Sequence, residues 1–324
     1  MGKKLLWVVI FVVLVNSMES LGCLEEERIA LLQLKANIKV TGKTLASWVD
    51  DKKSNCCEWI GVACSNITRR VVELNINYVR DYRIGYWYIN ASVFLPLQQL
   101  NVLQLEGNYL AGSVENGGFD KLAELQNLKV LHLVMNNLNR SILSSLSHLS
   151  SLKQLHLTGN PLHSTFDNSG HERLSGLSNL ELLTMGSTMM EDKNVLSALN
   201  LKDFTSLKEL SIGSNNFQIF GQIKGGGGLK KLEKLLLFNN RFNNDIFQSL
   251  KGLPSLKILD LSGNDFHGPL HIDDINALNN LEDLNLGFNF IEGFETIANF
   301  SSGGLVLCNY SLSFFMTYLF SLIF

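Results

Sequence analysis

One pattern limits what this chain can fold into: Leu-x-x-Leu-x-x-Leu-x-Leu-x-x-Asn-x-Leu, repeated in register along most of the 324 residues. Leu97, Leu100, Leu103, Leu105, Asn108 and Leu110 make one complete copy, and Leu125, Leu128, Leu131, Leu133, Asn136 and Leu138 make the next. Leu149 to Leu162 repeats it with Asn160, and Leu177 to Met190 repeats it with Met185 for leucine and Thr188 for asparagine. Phe204 to Phe217, Leu229 to Phe242, Leu253 to Phe266 and Leu278 to Ile291 carry Asn215, Asn240, Asn264 and Asn289. A weaker copy runs through Val72, Leu74 and Ile76 without the asparagine. The third-leucine positions are 74, 103, 131, 155, 183, 210, 235, 259 and 284, so the steps are 29, 28, 24, 28, 27, 25, 24 and 25 residues.

Those steps fall inside the leucine-rich-repeat range of roughly 20–29 residues. In Leu-x-Leu the side chains alternate as on a strand with one buried face. The asparagine stands where the chain turns away from the strand, and its amide can bond the main chain of neighbouring turns. A single repeat cannot bury its apolar face alone, so neighbours must stack. The expected fold is an α/β-type leucine-rich-repeat solenoid over residues 71–300, of about nine repeats. It forms a curved superhelix with a parallel β-sheet on the concave face and irregular or 3-10 segments on the convex side.

The N-terminus reads as a secretory signal over residues 1–22. Lys3 and Lys4 supply the positive region, Leu5 to Val15 the apolar core, and Ser20 and Gly22 the small residues before a cut ahead of Cys23. An apolar core this short is too short for a membrane span. A secreted chain permits disulfides. Cys23, Cys56, Cys57 and Cys64 cluster near the N-terminus, with Cys308 far away. Cys56 and Cys57 are too close to pair with each other, which leaves two pairings; Cys23–Cys56 with Cys57–Cys64 is the expectation. No histidine precedes His132, so zinc is the weaker reading and no metal or cofactor is expected. Sequons at Asn66, Asn90, Asn139, Asn299 and Asn309 point to the same compartment, with glycans expected on the first four. The net charge of −3 does not fit a nucleic-acid partner, which would need a surplus of Lys and Arg.

The segment 23–70 is more specific than the repeats. Cys23 to Leu32, Leu45 to Trp48, and Cys56-Cys57-Glu58-Trp59 through Gly61, Val62 and Cys64 resemble the N-terminal cap of the plant extracellular leucine-rich-repeat receptor-like proteins. The residues support that reading independently. Ala30, Leu31, Leu34 and Ile38 give a helical apolar face, and Trp48 and Trp59 supply bulk to cover the first repeat. The resemblance implies a recognition protein in defence or developmental signalling, outside the cell or at its surface. It would bind a peptide, glycan or protein partner and rely on a co-receptor kinase, since the family carries no kinase of its own. Enzyme chemistry is not expected. Gly225 to Gly228 followed by Lys230 and Lys231 lacks phosphate-loop spacing, and no metalloprotease or nucleophile-elbow motif occurs.

Binding is expected on the concave face. The position between the two strand leucines reads Gln104, His132, His156, Thr184, Ser211, Leu236, Asp260 and Asn285. The position after them reads Glu106, Val134, Thr158, Gly186, Gly213, Phe238, Ser262 and Gly287. Val134, Leu236 and Phe238 are apolar where a solvated face calls for polar groups, which suggests partner contact. His132 and His156 fall on adjacent strands roughly 5 Å apart. Double protonation of such a pair is resisted, so one imidazole is pushed toward a lower pKa and binding becomes pH-sensitive. With Asp260, these are the candidate ligand-binding residues. The tail 301–324 carries no charge, and Leu305 to Phe324 is long enough to associate with or cross a bilayer. Two other outcomes compete with an anchored receptor: a secreted inhibitor of cell-wall-degrading enzymes, similar to the polygalacturonase inhibitors, and a truncated product without function.

Overall fold

A computed structural model describes residues 23–40, 44–51, 54–162, 174, 176–190, 193–223 and 228–295. The expected signal segment, Asn299, Cys308 and the apolar tail lie outside the described residues.

The chain opens with helix α1 (Glu25–Ile38), whose buried face includes Ala30, Leu31, Leu34 and Ile38. Strands follow in the order β1 (Val62–Cys64), β2 (Val71–Asn75), β3 (Trp87–Ile89), β4 (Val102–Gln104), β5 (Leu110–Ser113), β6 (Val130–His132) and β7 (Gln154–His156). The series continues with β8 (Leu182–Thr184), β9 (Glu209–Ser211), β10 (Lys234–Leu236), β11 (Ile258–Asp260), β12 (His267–His271), β13 (Asp283–Asn285) and β14 (Phe290–Glu295). Ten of them form one sheet in the order β1-β2-β4-β6-β7-β8-β9-β10-β11-β13. Only the β1–β2 pair, contributed by the cap, is antiparallel. The parallel register aligns Leu74, Leu103, Leu131, Leu155, Leu183, Leu210, Leu235, Leu259 and Leu284, the same nine positions the periodicity picks out.

The return segments are more regular than expected. Beside 3-10 turns such as Ala91–Phe94 and Phe119–Glu124 they include short α-helices: α2 (Ile142–Leu146), α3 (Val195–Leu199), α4 (Ile246–Leu250) and α5 (Ile272–Asn276). Two small parallel sheets, β3–β5 and β12–β14, also flank the main one. They form where two successive return segments both run extended.

A ladder of asparagines ties the repeats together inside. Asn136 Oδ1 accepts from the N–H groups of Asn108 (3.0 Å) and Leu110 (3.1 Å), while its Nδ2 donates to the carbonyls of Leu105 (2.9 Å) and Leu133 (3.0 Å). Asn160, Asn240 and Asn264 likewise each donate to a carbonyl of the preceding repeat and one of their own. Each bend carries unpaired backbone groups that burial would otherwise penalise. At Thr188 the ladder thins: its hydroxyl reaches the carbonyl of Met185 in its own repeat (3.1 Å), and no side-chain donor from it reaches Leu157. The residue before the ladder position bends through left-handed φ in every repeat: Tyr78, Gly107, Met135, Gly159, Ser187, Ser214, Asn239, Gly263 and Phe288.

The cap closes the open end. Trp48 stacks on Trp59 at 5.6 Å, and both indole N–H groups are satisfied, by Ile60 O (2.8 Å) and Ser54 Oγ (2.7 Å). Cys23 pairs with Cys56, and Cys57 with Cys64. Glu27 is fully buried yet fully used. Its carboxylate accepts from Arg70 Nε (2.9 Å), from the Val71 N–H at the start of β2, and from the Leu24 N–H. Arg80 is buried and has no carboxylate partner among the described residues. It donates to carbonyls of Ile38 (2.5 Å), Gly85 (3.2 Å) and Tyr86 (3.3 Å), stitching the C-terminus of α1 to the first repeat, and burial lowers its pKa.

Candidate functional site: the concave face

Side chains between the paired leucines project from the concave sheet, and in the N-terminal half they form a connected polar row. Gln104 on β4 donates to Glu73 on β2 (3.0 Å) and accepts from Asn77 (3.1 Å). Glu106 Oε1 lies 3.1 Å from His132 Nδ1 on β6. His132 stacks on His156 of β7 with centroids 4.1 Å apart and planes within 14°. Thr184 of β8 completes the row, 3.3 Å from His156 Nδ1. The strand spacing of about 4.8 Å sets this stacking, because equivalent positions on neighbouring parallel strands stand side by side.

The two histidines differ. His132 has the Glu106 carboxylate beside it. His156 is more enclosed, and its Nε2 is buried without a hydrogen-bond partner among the described residues. Burial first, and the neighbouring His132 second, push His156 down to about 4. The sequence argument expects a lowered imidazole from mutual repulsion; the structure gives burial as the larger cause. His156 therefore stays neutral at mildly acidic pH, and an unpartnered nitrogen at this position can serve a ligand as a neutral polar contact.

The C-terminal half has another character. Leu236 and Phe238 follow one another on and just after β10, and both are half-buried and not open as expected. The Phe238 ring lies across Gly213, where an added Cβ would sit 2.5 Å from it. Phe238 thus spends part of its surface on its own solenoid, occupying space that Gly213 leaves empty. Val134 is half-buried as well. Asp260 Oδ1 accepts from the N–H (2.9 Å) and hydroxyl (2.6 Å) of Ser262, which orients the carboxylate at the foot of the Leu236–Phe238 patch. The structure thus brings His132 and His156 together and leaves Leu236, Phe238 and Asp260 as a separate group, three and four strands beyond His156.

Sequence reasoning missed the charge row at the strand entrances. Lys153 and Lys208 each reach the Glu181 carboxylate at 2.8 Å, and Lys257 reaches Glu233 at 2.9 Å. The hydrogen bonds from Lys153 and Lys208 hold Glu181 down at about 2. The signal was present as Lys and Glu alternating at the residue before the main-sheet strands from β7 to β13: Lys153, Glu181, Lys208, Glu233, Lys257 and Glu282. Among the described residues there is no group of three His, Cys, Asp or Glu side chains that could hold a metal ion. Among the same residues no helix is long and apolar enough to cross a membrane. The sequon asparagines Asn66 and Asn90 are exposed and Asn139 is half-buried, all outside the concave strands.

Comparison with known proteins fits this architecture. The model of the leucine rich repeat N-terminal domain matches residues 24–65. The chain is 38% identical over 291 residues to Cuscuta receptor 1 of Solanum lycopersicum, covering 86% of this chain and 23% of that protein. It is 30% identical over 294 residues to Receptor-like protein 13 of Arabidopsis thaliana, covering 86% of this chain and 24% of the other. The chain thus spans about a quarter of the length of these curated relatives. Among solved structures, that of PEPR1-AtPEP1 superposes with a TM-score of 0.58 at 23% identity, over 83% of this chain and 36% of that one.

Proposed function

We infer that this chain, which carries a plant-type N-terminal cap and is homologous to plant receptor-like proteins over most of its length, is an extracellular recognition protein that binds a peptide on its concave face. The observation that carries the reading is the row Glu106–His132–His156–Thr184, with a buried His156 Nε2 left for a partner. Polar groups that fix a ligand's register here stand apart from the apolar Leu236 and Phe238, which would supply contact area. An extended peptide lying across the strands would touch both. Signalling would depend on a co-receptor kinase. The chain would act by binding and not by catalysis, in the wall space or held at the cell surface. The outward positions of stacked strands line up in one continuous row on the concave face, which supports placing specificity there.

The test is a library of synthetic extracellular peptides presented to the purified full chain at pH 5.5 and 7.5. Three variants run beside it: His156→Ala, the pair Leu236→Ser with Phe238→Ser, and Lys251→Ala on the return segments. The reading expects a peptide whose retention is lost in the first two and kept in the third. Retention unchanged by both concave variants would overturn it.

A further inference from the structure

The first return segment holds a feature that the concave-face reading leaves unused. Five of the seven tyrosines of the chain fall between residues 78 and 109, and all five are exposed: Tyr78, Tyr82, Tyr86, Tyr88 and Tyr109. Tyr86 and Tyr88 are two residues apart along the β3 edge, so both project from the outer face of the β3–β5 sheet, while Trp87 and Ile89 between and after them are buried. Tyr109 precedes Leu110, the partner of Trp87, and so stands beside Tyr86. Tyr82 closes the group, its ring 6.5 Å from that of Tyr109.

Several of these rings are held in place. Tyr78 lies over Gly107, where an added Cβ would sit 2.2 Å from the ring, and its hydroxyl is 3.5 Å from Met135 Sδ. Tyr88 lies beside Gly112, where an added Cβ would sit 3.6 Å from its ring. The Arg83 guanidinium sits 5.9 Å from the Tyr82 centroid and is itself paired with Asp81. Tyr78 and Tyr88 thus each rest against a glycine while remaining exposed. Holding a ring flat before binding removes part of the ordering cost of a contact.

We propose that this tyrosine ridge is a binding site, distinct from the concave face, for a neutral polysaccharide. Three observations choose that ligand. The ridge offers ring faces and phenolic hydroxyls together, and the hydroxyls of Tyr82, Tyr86, Tyr88 and Tyr109 have no hydrogen-bond partner among the described residues. A pyranose presents the matching surface, apolar C–H faces edged by hydroxyls. Next, the Asp81–Arg83 pair cancels its own charge and Arg80 is buried, so the ridge has no net charge with which to select an anionic glycan. Last, the rings project from a sheet face as a ridge, whereas protein anchors are buried aromatic or apolar groups that seat in pockets. A tyrosine contributes a large apolar body with a polar tip, which suits a ligand that alternates the two.

The ridge and the concave face meet at one point. Tyr78 accepts the turn from the concave strand, its N–H donating to Glu106 O (2.8 Å), and Glu106 is the residue beside His132. A glycan held on the ridge would therefore lie next to the polar end of the peptide row without occupying it.

The experiment uses the purified full chain with three probes: cellohexaose, mannohexaose and polygalacturonate, followed by calorimetric titration and by affinity electrophoresis. Wild type is expected to bind at least one neutral oligosaccharide and to prefer it to polygalacturonate. The double variant Tyr82→Ala with Tyr88→Ala should weaken that binding by about ten-fold or more. Tyr82→Phe with Tyr88→Phe, which keeps the stacking faces, should retain most of it. An unchanged thermal midpoint in both doubles shows that the fold is intact, since these side chains are exposed. No neutral binding by the intact wild type, equal binding by the alanine double, or preference for polygalacturonate would each overturn the proposal. So would a peptide of the library above whose retention depends on the ridge while no neutral glycan binds, because that outcome assigns the surface to a protein partner.

Discussion

Two columns of polar side chains cross the same repeats, one inside the solenoid and one on its concave face. Inside, Asn136 makes two bonds to N–H groups of the preceding repeat and further bonds to carbonyls, and none of its polar capacity is idle. Outside, His132 and His156 stack at the same repeat spacing, yet within that row His156 Nε2 is buried with no partner among the described residues. Both columns arise because equivalent positions on stacked strands stand about 4.8 Å apart. They differ in what burial demands. An unpaired group in the core would cost about 1–3 kcal/mol, so the core column closes on itself. At a half-buried surface the same unpaired group is tolerable, and under the proposed function it is where a ligand would bond.

The difference can be broken most severely from within. Asn136→Ala removes its accepted and donated bonds together and strands main-chain groups in the core. The expected loss is about 3 kcal/mol or more, read as a shift in the denaturation midpoint of the intact chain. A loss below about 1 kcal/mol would show that the ladder is not what holds the bends.

Thr188→Asn works in the opposite direction. It supplies the amide missing from the ladder, within reach of the Leu157 carbonyl, and is expected to stabilise by about 1 kcal/mol. A neutral or destabilising result would mean that the core around Thr188 has closed on the smaller side chain.

His156→Gln sharpens the outer column. In the folded chain His156 titrates at about 4, against an ordinary value of 6.5. The unfolded chain therefore takes up a proton that the folded one refuses as pH falls from 6.5 to 4, and stability declines across that window and levels off below it. Replacing the imidazole should flatten this part of the profile relative to wild type. An identical slope in thermal midpoint between pH 7 and 4 would show that His156 is not held neutral.

The smallest effect belongs to the entrance row. Glu181→Gln removes a carboxylate held at about 2, whose contribution is present above about 4.5 and fades as pH falls toward 2. Because its partners are exposed and screened, the midpoint at neutral pH should hardly move, and high salt should remove what difference there is. A large shift at neutral pH would show that the row carries structural weight.

The inner column was far more legible than the outer one. Leucine and asparagine positions recur because each repeat must bury the same face in the same register, so periodicity alone places them. The buried face of α1 follows from short-range spacing, while cysteine spacing leaves two cap pairings, of which the structure has the favoured one. Other features depend on residues brought together from distant positions. Glu27 meets Arg70 across 43 residues and Arg80 meets Ile38 across 42, and no local pattern signals either. Phe238 reads as exposed because its column faces outward; the missing information is that Gly213 leaves a gap for its ring. Two glycines at that column position on adjacent strands were the available clue. The tyrosines are close in sequence, but the placement of Tyr86 and Tyr88 on one face beside Tyr109 depends on the β3–β5 pairing.

The left-handed bend before each ladder position has a consequence for how such a chain changes over time. Glycine occupies it in three of the nine repeats, at 107, 159 and 263, while Tyr, Met, Ser, Ser, Asn and Phe occupy the rest. A side chain in this conformation costs about 1 kcal/mol, and the solenoid bears that cost six times over. The backbone therefore dictates the bend but not its occupant. Each repeat offers one position at the rim of the concave face where the side chain can be exchanged at small and nearly constant expense, with the register of every leucine untouched. New specificity can be written there one letter at a time.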